Sequence, residues 1–335
     1  MPKTLPVLSA IAVLGLVGPV AHADDNTLIS GRMFFDLTNI DQKNNGAKTA
    51  NEGTGFDVKR FYLGVDHKFD NIWSANLTSD FNYVSNDTET NVFVKKAYLQ
   101  GTFDKLLVAR VGSADMPWIP FAESVYGYRF VENTLADRLK FGNSADWGAH
   151  LLGNDGTFNY QASVVNGAGY KNPSRSKSVD FEGRAGLQFG DFVAAVGGYS
   201  GKLGKETATS PAQHTATRAD ALLGYKNSLF TLGAEWFQAK NWNNVTTVAT
   251  DSADGWSVFG NVNPITDWSL FARYDSAKLS KDVDPSLEDK YWNAGAAYIV
   301  RKGVRLAVVY KHDKQKSNTV QLVTKEFGLW GEVSF

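Results

Sequence analysis

Arginine and lysine side chains recur on one face of many short segments in which polar and apolar residues alternate. Alternate residues of a β-strand share a face. A guanidinium group matches an oxyanion in two parallel hydrogen bonds and stays charged at every relevant pH. A row of such groups is therefore suited to attracting anions. The basic positions on these faces are Arg32, Arg60, Lys96, Arg110, Arg184, Arg218, Arg273 and Arg305.

The same faces carry a comparable number of carboxylates. Residues 180–184 hold both signs in one segment, so local ion pairs are also expected. Two interpretations stay open for each arginine: it attracts anions, or it forms a salt bridge that holds the sheet in shape. The acidic positions are Asp36, Asp66, Asp80, Asp180, Glu182, Asp220, Glu235 and Asp275.

Residues suited to enzymatic chemistry are sparse. The chain has no cysteine, which excludes disulfides, thiol nucleophiles and zinc–thiolate sites. His67, His150, His214 and His312 do not occur in Gly-x-Ser-x-Gly or His-Glu-x-x-His contexts. The sequence predicts no catalytic site, metal or cofactor. The formal net charge is −1, without blocks of like charge, which does not favour nucleic acid as a partner.

The two ends of the chain indicate export and insertion into a membrane. Residues 1–23 are typical of a secretory signal peptide: Lys3 precedes the apolar residues 5–20, and Ala21-His22-Ala23 fits a cleavage site. The chain ends in Phe335, with apolar residues or glycine at every second position back to Phe327. The closing strand of a transmembrane barrel has this pattern, although an edge strand of a soluble sandwich would share it.

Alternation with a period of two persists along nearly the whole chain and predicts sixteen strands. Short turns such as 70–71, 190–191 and 301–303 alternate with long polar connections such as 38–56 and 200–216. This alternation is typical of outer-membrane barrels. The predicted strands are 28–37, 57–69, 73–84, 92–103, 107–113, 146–152, 158–166, 180–189, 192–199, 217–226, 229–239, 255–263, 268–275, 291–300, 304–312 and 322–335.

Aromatic residues occur near many predicted strand ends. In a membrane barrel they would lie at the level of the lipid headgroups, while ordinary strand aromatics are the alternative. These residues are Trp73, Tyr83, Trp147, Tyr199, Trp236, Trp256, Trp268, Tyr274, Trp292 and Tyr310.

The longest segment without alternation covers residues 113–145. Pro117 and Pro120 exclude a continuous strand, and its aromatic residues are too many for a solvated loop. A barrel of sixteen strands is too wide to be filled by wall side chains alone. We therefore expect this segment to fold into the lumen, while a cover over the barrel mouth or a subunit contact is the alternative. Its charged residues are Asp115, Glu123, Arg129, Asp137, Arg138 and Lys140.

These features together resemble the trimeric Gram-negative porins. Within them, the runs 117–121, 126–129 and 31–36 are similar to the phosphate-selective porin O/P group. The resemblance implies an all-β fold: a 16-stranded antiparallel transmembrane β-barrel over residues 24–335 with an inward-folded third loop. It also implies a homotrimer in contact with outer-membrane lipid and lipopolysaccharide. Function would be passive diffusion of small hydrophilic solutes or inorganic anions, phosphate being the best-known substrate of the group.

We expect Arg60, Lys96, Arg110 and Arg129 to form the positive side of a constriction in such a channel. The wider set of expected pore-lining residues adds Asp115, Glu123, Arg138, Lys140, Arg184, Arg218 and Arg273. The balance of charges argues against strong anion selectivity. A surface adhesin or recognition barrel is the alternative function, because long loops carry such roles on the same scaffold.

Overall fold

The computed structural model describes residues 26–83, 90–173 and 175–335. The predicted signal peptide, residues 1–23, lies outside the described residues. Sixteen long strands and two short helices make up the regular structure of the described part, and a two-residue strand, Ala47–Lys48, lies within the first connection.

The strands are numbered here in chain order without the two-residue strand, and all sixteen predicted strands are present. They are β1 (Thr27–Asn44), β2 (Gly53–Lys68), β3 (Trp73–Tyr83), β4 (Thr90–Asp104), β5 (Leu107–Asp115), β6 (Ala145–Asn154), β7 (Phe158–Val165), β8 (Asp180–Phe189), β9 (Phe192–Gly201), β10 (Ala216–Lys226), β11 (Phe230–Lys240), β12 (Ser252–Ile265), β13 (Trp268–Lys278), β14 (Glu288–Arg301), β15 (Val304–Lys316) and β16 (Gln321–Ser334).

Each strand pairs antiparallel with the next, and β1 pairs with β16, so the sheet closes into a barrel. Leu37 lies opposite Leu329 in the closing ladder. The final residue continues it: the backbone N–H of Phe335 donates to the carbonyl of Gly31 at 3.0 Å, and the N–H of Gly31 donates back at 3.0 Å. Closure leaves no strand edge unpaired, which a β-structure in lipid requires.

The connection predicted at 38–56 is shorter than expected. β1 runs to Asn44 and β2 begins at Gly53, with Ile40 opposite Gly53. Beyond the apolar band both faces of a strand are in water and can carry polar residues. The hydrogen-bonded ladder therefore continues past the last residue at which polar and apolar side chains alternate. The same effect lengthens β12, β14 and β15 beyond their predicted limits.

Side chains alternate between an exposed apolar face and a buried face. In β11, Leu232 and Trp236 are exposed, whereas Glu235 and Phe237 are buried. Aromatic rings on the exposed face also pack in pairs between neighbouring strands. Examples are Trp256–Tyr274, Trp268–Tyr298 and Trp292–Tyr310.

The side chain of Tyr83 lies outside the described part of the structure; among the other predicted aromatic residues, one departs from the headgroup position. Tyr199 is buried and its hydroxyl donates to Asp180, because it lies on the same face of β9 as buried Val193 and Ala195. It therefore belongs to the interior of the protein.

The predicted short turns form tight hairpins. In the β2–β3 turn, Asp70 Oδ1 accepts the backbone N–H groups of Ile72 and Trp73, both at 2.7 Å. Asp155 and Asn227 make equivalent contacts in the β6–β7 and β10–β11 turns. These side chains replace backbone partners that the reversing chain cannot supply.

The β5–β6 segment, residues 116–144, carries the helices α1 (Ile119–Tyr126) and α2 (Leu135–Arg138). Pro120 is tolerated in the first turn of α1 because N–H groups there lack helical acceptors. Gly127 ends α1 with φ 76°, a left-handed conformation that glycine adopts readily. No helix in the described ranges is long and apolar enough to cross a membrane.

The β5–β6 segment packs on the buried faces of the wall strands and forms the core with them. The Tyr128 ring stacks on Phe271 at 4.1 Å between centroids, and Phe141 packs against Phe237 at 4.9 Å. Trp118 and Ile119 are fully buried in the larger of the two apolar clusters. Burial of such side chains contributes about 1.5–3 kcal/mol each.

We expect Gly303→Ala to weaken closure of the barrel more than Gly46→Ala does. The two glycines have φ values of 84° and 85°, so both substitutions impose similar backbone strain. A Cβ at residue 303 would lie 2.2 Å from the carbonyl oxygen of Ser334, whereas a Cβ at residue 46 meets nothing within 4 Å. Gly303→Ala should cost about 1–3 kcal/mol more free energy of unfolding. Urea unfolding of the detergent-folded variants measures this difference, and equal losses would contradict it.

Candidate functional site

Three cavities border the β5–β6 segment, and their other lining residues come mainly from β1, β2, β4, β15 and β16 and from residues 168–171. The largest, the vestibule cavity, has a volume of about 1070 Å³ and reaches the β14–β15 turn and Phe335. The basic cavity, about 330 Å³, lies against residues 168–171 and 142–144. The side cavity, about 400 Å³, lies against Val58 and Trp330. Arg129 lines all three cavities, and Lys95 and Ser144 line both the vestibule and basic cavities.

Arg129 follows the left-handed turn that ends α1. Its Nε donates to Glu123 Oε1 at 2.5 Å, and Asp137 lies 3.7 Å from its NH2 group. Burial raises the pKa of Glu123 above its usual value, although Arg129 and Lys95 oppose the shift. The β5–β6 segment thus places two carboxylates beside the one arginine that lines all three cavities.

Two β-bulges bring extra lysines to the cavities. Phe34 lies opposite Arg60 and Phe35 opposite Val58, which leaves Lys59 without a facing partner. Between β3 and β4 the register shifts at Thr78, and Lys95 is the extra residue. A bulge interrupts the alternation of side chains. Lys59 and Arg60 therefore both line the side cavity, and Lys95 and Lys96 both line the vestibule cavity.

Strict alternation placed only Arg60 and Lys96 on the polar face, so the sequence reasoning missed Lys59 and Lys95. The adjacent basic pairs Lys59-Arg60 and Lys95-Lys96 were the available signal. Two neighbouring charges within one membrane strand would otherwise place one of them in lipid, which costs several kcal/mol.

Lys95 is held by aromatic rings. Its Nζ lies 4.5 Å from the Tyr62 ring centroid, 5.7 Å from that of Tyr170 and 3.3 Å from the Tyr62 hydroxyl. Lys171 Nζ lies 4.6 Å from the Phe93 ring centroid. Ring faces stabilise a cation without neutralising it. Burial, together with repulsion from Arg60 and Lys95, lowers the pKa of Lys171.

The expected positive side of the constriction is only partly brought together. Arg60 and Arg129 share two cavities, and Lys96 shares the vestibule cavity with Arg129. Arg60 pairs with Asp80 and Lys96 with Asp115, each at 3.2 Å. Arg110 lines none of the three cavities; its Nε donates to Gln100 at 2.7 Å.

Three of the predicted pore-lining arginines hold the β5–β6 segment against the wall. Arg184 Nε donates to the carbonyl of Pro117 at 2.9 Å. Arg218 donates to the carbonyl of Phe141, and Arg273 to that of Asn133. Arg218 and Arg273 are each 3 % exposed, beneath the segment.

Carboxylates of the wall complete this attachment. Glu182 accepts the backbone N–H of Trp118, and Glu235 accepts its indole N–H, both at 3.0 Å.

Within the segment, burial alone would raise the pKa of Glu132, but Lys311 and Arg138 lower it to about 2. Asp220 and Asp275 pair with Arg218 and Arg273 within their own strands, and Asp180 accepts the backbone N–H groups of Lys202 and Leu203.

Arg138, in α2, forms the most extensive ion cluster of the segment. Its guanidinium lies 3.0 Å from Asp275, 2.5 Å from Asp289 and 3.5 Å from Asp313. Lys140, two residues later, is exposed and lines the basic cavity. The predicted charged residues therefore include some that fix the segment, such as Arg218, and others, such as Arg129, that line the three cavities.

No cluster of potential metal ligands occurs in the described part of the chain. His150 Nδ1 lies 2.8 Å from Ser163 Oγ, but both residues are buried and line none of the three cavities. The pair therefore has the geometry of a structural contact.

A protein-family comparison and a structural comparison identify related proteins. The family model described as "Gram-negative porin" matches residues 10–318. No curated protein sequence matches the chain significantly.

Solved structures share the fold at low sequence identity. DcaP, the outer membrane channel of Acinetobacter baumannii, has 12% identity and a TM-score of 0.67, covering 92% of this chain and 97% of its own. The anion-selective porin from Comamonas acidovorans has 12% identity and a TM-score of 0.65, covering 92% and 99%. The trimer form of Vibrio cholerae OmpT has 13% identity and a TM-score of 0.60, also covering 92% and 99%.

We expect Arg138→Met to loosen the β5–β6 segment and to cost about 3–5 kcal/mol of unfolding free energy, because it leaves buried Asp289 without a cation and Asp275 with Arg273 alone. Arg32→Met is the control, since Arg32 is 57% exposed and lies 3.7 Å from Glu332. That variant should change stability by at most about 1 kcal/mol. Denaturant unfolding and limited proteolysis within residues 116–144 measure the two effects. Equal stability of the two variants would contradict the anchoring role.

Proposed function

The chain belongs to the Gram-negative porin family, and on that premise we propose that it forms a water-filled channel for passive diffusion of small hydrophilic solutes and ions, with a preference for anions. The family and the barrel fold locate it in the outer membrane and favour a channel rather than an enzyme. The membership confirms the predicted resemblance at the level of the porin family.

The observation that carries the proposal is that Arg129 lines three cavities in a protein whose strands close into a barrel. Sixteen strands enclose a lumen too wide for wall side chains to fill. A solute that moves from the vestibule cavity to the basic cavity passes between residues common to both, Lys95, Arg129 and Ser144. We propose that these residues form the constriction.

We further propose that the β5–β6 segment lies within the lumen and sets the channel width. Its support is the face that it contacts: Glu182, Arg218, Glu235 and Arg273 alternate along their strands with exposed apolar residues such as Trp236. In a barrel surrounded by lipid, the apolar face is outside and the polar face lines the interior.

An anion preference is favoured by the residues around the basic cavity. Arg60, Lys95, Arg129, Lys140 and Lys171 face a single carboxylate there, that of Asp137. The Comamonas acidovorans porin of the same fold is described as anion-selective. Phosphate preference, suggested by the likeness to the porin O/P group, stays a prediction.

A homotrimer surrounded by outer-membrane lipid and lipopolysaccharide is part of the proposal. OmpT of Vibrio cholerae, which shares the fold, is described in a trimer form. The exposed apolar faces of β1 and β16, which include Leu37 and Phe327, suit lipid or a neighbouring subunit. Chemical cross-linking of the detergent-folded protein distinguishes a trimer from a monomer.

Single-channel recording in planar bilayers tests the channel itself. The purified protein should give large ohmic current steps in potassium chloride. Under a salt gradient the reversal potential should move toward the chloride equilibrium potential. Absence of steps would contradict the channel, whereas steps without a shift in reversal potential would contradict only the anion preference.

We expect Arg129→Ala to reduce the chloride-to-potassium permeability ratio roughly threefold, which corresponds to about 0.7 kcal/mol of attraction from one charge at ~6 Å in water. Single-channel conductance should rise, because a large side chain is removed from the junction of the cavities. Arg110→Ala is the matched control, since Arg110 lies outside these cavities. A similar shift in both variants would rule out a constriction at Arg129.

Selectivity should depend on pH through Glu123. Because burial raises the pKa of this carboxyl above its ordinary value of 4.5, it gains a proton earlier than an exposed glutamate as the pH falls. The neutral form no longer balances Arg129, so anion preference should increase as the pH drops through that raised pKa. Glu123→Gln should show the increased preference already at neutral pH. Reversal potentials between pH 4 and pH 7 measure this, and an unchanged pH profile in Glu123→Gln would contradict it.

A further inference from the structure

We propose that a fourth cavity, lined by three of the long loops, binds neutral saccharides. This loop cavity has a volume of about 310 Å³, and its lining residues lie within 140–143, 167–172, 203–205 and 242–243. The first range belongs to the β5–β6 segment, and the others belong to the β7–β8, β9–β10 and β11–β12 loops. Because long loops face outward in outer-membrane barrels, a sugar would meet this site before it enters the channel. That role in uptake rests on the channel function proposed above, whereas binding itself does not.

The first support is that the loops around the cavity hold one another in place. The backbone N–H of Lys177 in the β7–β8 loop donates to the carbonyl of Glu206 in the β9–β10 loop at 2.9 Å. The backbone N–H of Gln213 in the β9–β10 loop donates to the carbonyl of Val245 in the β11–β12 loop at 2.7 Å. Binding between loops that are already fixed loses less conformational entropy than binding that must order them.

The second support is a concentration of strained backbone at the cavity. Within the described ranges, five residues other than glycine have a positive φ, and three of them lie here: Lys140 at 62°, Leu203 at 55° and Asn241, which precedes the lining residue Trp242, at 54°. Lysine and leucine rarely adopt this conformation. Glycine would end α2 at residue 140 without strain, so the helix itself does not require a lysine there. Strained backbone of this kind is concentrated at ligand-binding sites.

The third support is the set of polar groups, which decides the class of ligand. Asn143, Asn172 and Asn243 line the cavity, and their side-chain amides form no hydrogen bond within the described part of the chain. An amide offers both N–H donors and a carbonyl acceptor, and a hydroxyl group is likewise both donor and acceptor. Sugar hydroxyls can therefore pair with both ends of each amide. An oxyanion only accepts hydrogen bonds and would leave the amide carbonyls unpaired.

The remaining lining suits a sugar ring. Trp242 and Leu203 supply apolar surface for its C–H groups. The indole N–H of Trp242 donates to the carbonyl of Lys140 at 3.0 Å, and its ring lies 4.9 Å from that of Tyr199, so its orientation is fixed. The lining cations, Lys140 and Lys205, are exposed, and interactions of exposed charges are weak.

Size and position separate this site from the cavities lined by arginine. A volume of about 310 Å³ equals that of roughly ten water molecules at ~30 Å³ each, enough for one sugar ring and several waters. The loop cavity borders the basic cavity at Asn143 and Ala168, but Arg60, Lys95 and Arg129 do not line it.

Saturation-transfer-difference NMR tests binding directly, with the protein folded in lauryldimethylamine oxide, a detergent without a sugar. Maltose should receive saturation from the protein. Tetraethylene glycol at the same concentration should receive at least about fivefold less, because its ether oxygens accept hydrogen bonds but cannot donate them. Equimolar inorganic phosphate should leave the maltose signal in place. Displacement of maltose by phosphate would overturn the assignment to neutral saccharides.

Asn243→Leu and Asn318→Leu are the matched variants. Both replace an exposed amide in a long loop that has no side-chain hydrogen bond among the described residues, but only Asn243 lines the loop cavity. Asn243→Leu should raise the dissociation constant of maltose about fivefold, which corresponds to about 1 kcal/mol, the usual contribution of one hydrogen bond. Asn318→Leu should raise it less than about twofold. Circular dichroism of both variants checks that the β-sheet is retained.

Current block connects the site to transport. Maltose should reduce single-channel chloride current in a saturable manner, with a half-blocking concentration about fivefold higher in Asn243→Leu. Tetraethylene glycol should not give a saturable reduction.

The outcomes separate this inference from the channel function. Maltose binding in a protein without current steps would support the site and contradict the channel. Normal current steps without saturation transfer to maltose would overturn the site and leave the channel intact. Equal weakening of maltose binding in Asn243→Leu and Asn318→Leu would also overturn it, because the effect would then not come from the loop cavity.

Discussion

Hydrogen-bond closure between β1 and β16 is the constraint on which the rest of the structure depends. In lipid, an unpaired backbone N–H or C=O group costs several kcal/mol, so the sheet must close on itself. The ladder from Arg32–Ser334 to Asn44–Leu322 and the final contact between Gly31 and Phe335 accomplish this. Once the barrel is closed, alternation fixes which side chains face outward and which face inward.

The β5–β6 segment explains why so many charges occur on the interior faces. A segment with short helices and turns has backbone groups without partners of their own, and buried ones must find acceptors or donors. Arg184, Arg218 and Arg273 supply donors to its carbonyls, and Glu182 and Glu235 supply acceptors to the backbone N–H groups of Trp118 and Leu135. These residues are therefore engaged in structural contacts with the segment. The cations left for solutes are concentrated on the opposite side, along β2, β4 and residues 168–171.

The sequence alone predicted the class of fold and each of the sixteen strands, because period-two alternation is a local signal. It also singled out the segment between β5 and β6, since prolines and aromatic residues interrupt that signal. Strand ends were less predictable: in the water-exposed extensions both faces are polar, so β1 continues to Asn44 without a contrast that the sequence could display. Membership of the porin family agrees with the predicted resemblance.

The candidate site was only partly predictable, and the reason is physical. Alternation identified Arg60 and Lys96 on the polar face, and the non-alternating segment supplied Arg129 and Lys140; all four line cavities. The sequence could not separate Arg218, which is tied to Asp220 and to a carbonyl, from Arg129, which lines three cavities. It also left out Lys95, because the bulge that brings this residue to the cavities depends on the register with β3. The sequence determined local periodicity and composition; pairing of charges across distant strands, and hence which cations remain free, was decided only by the tertiary structure.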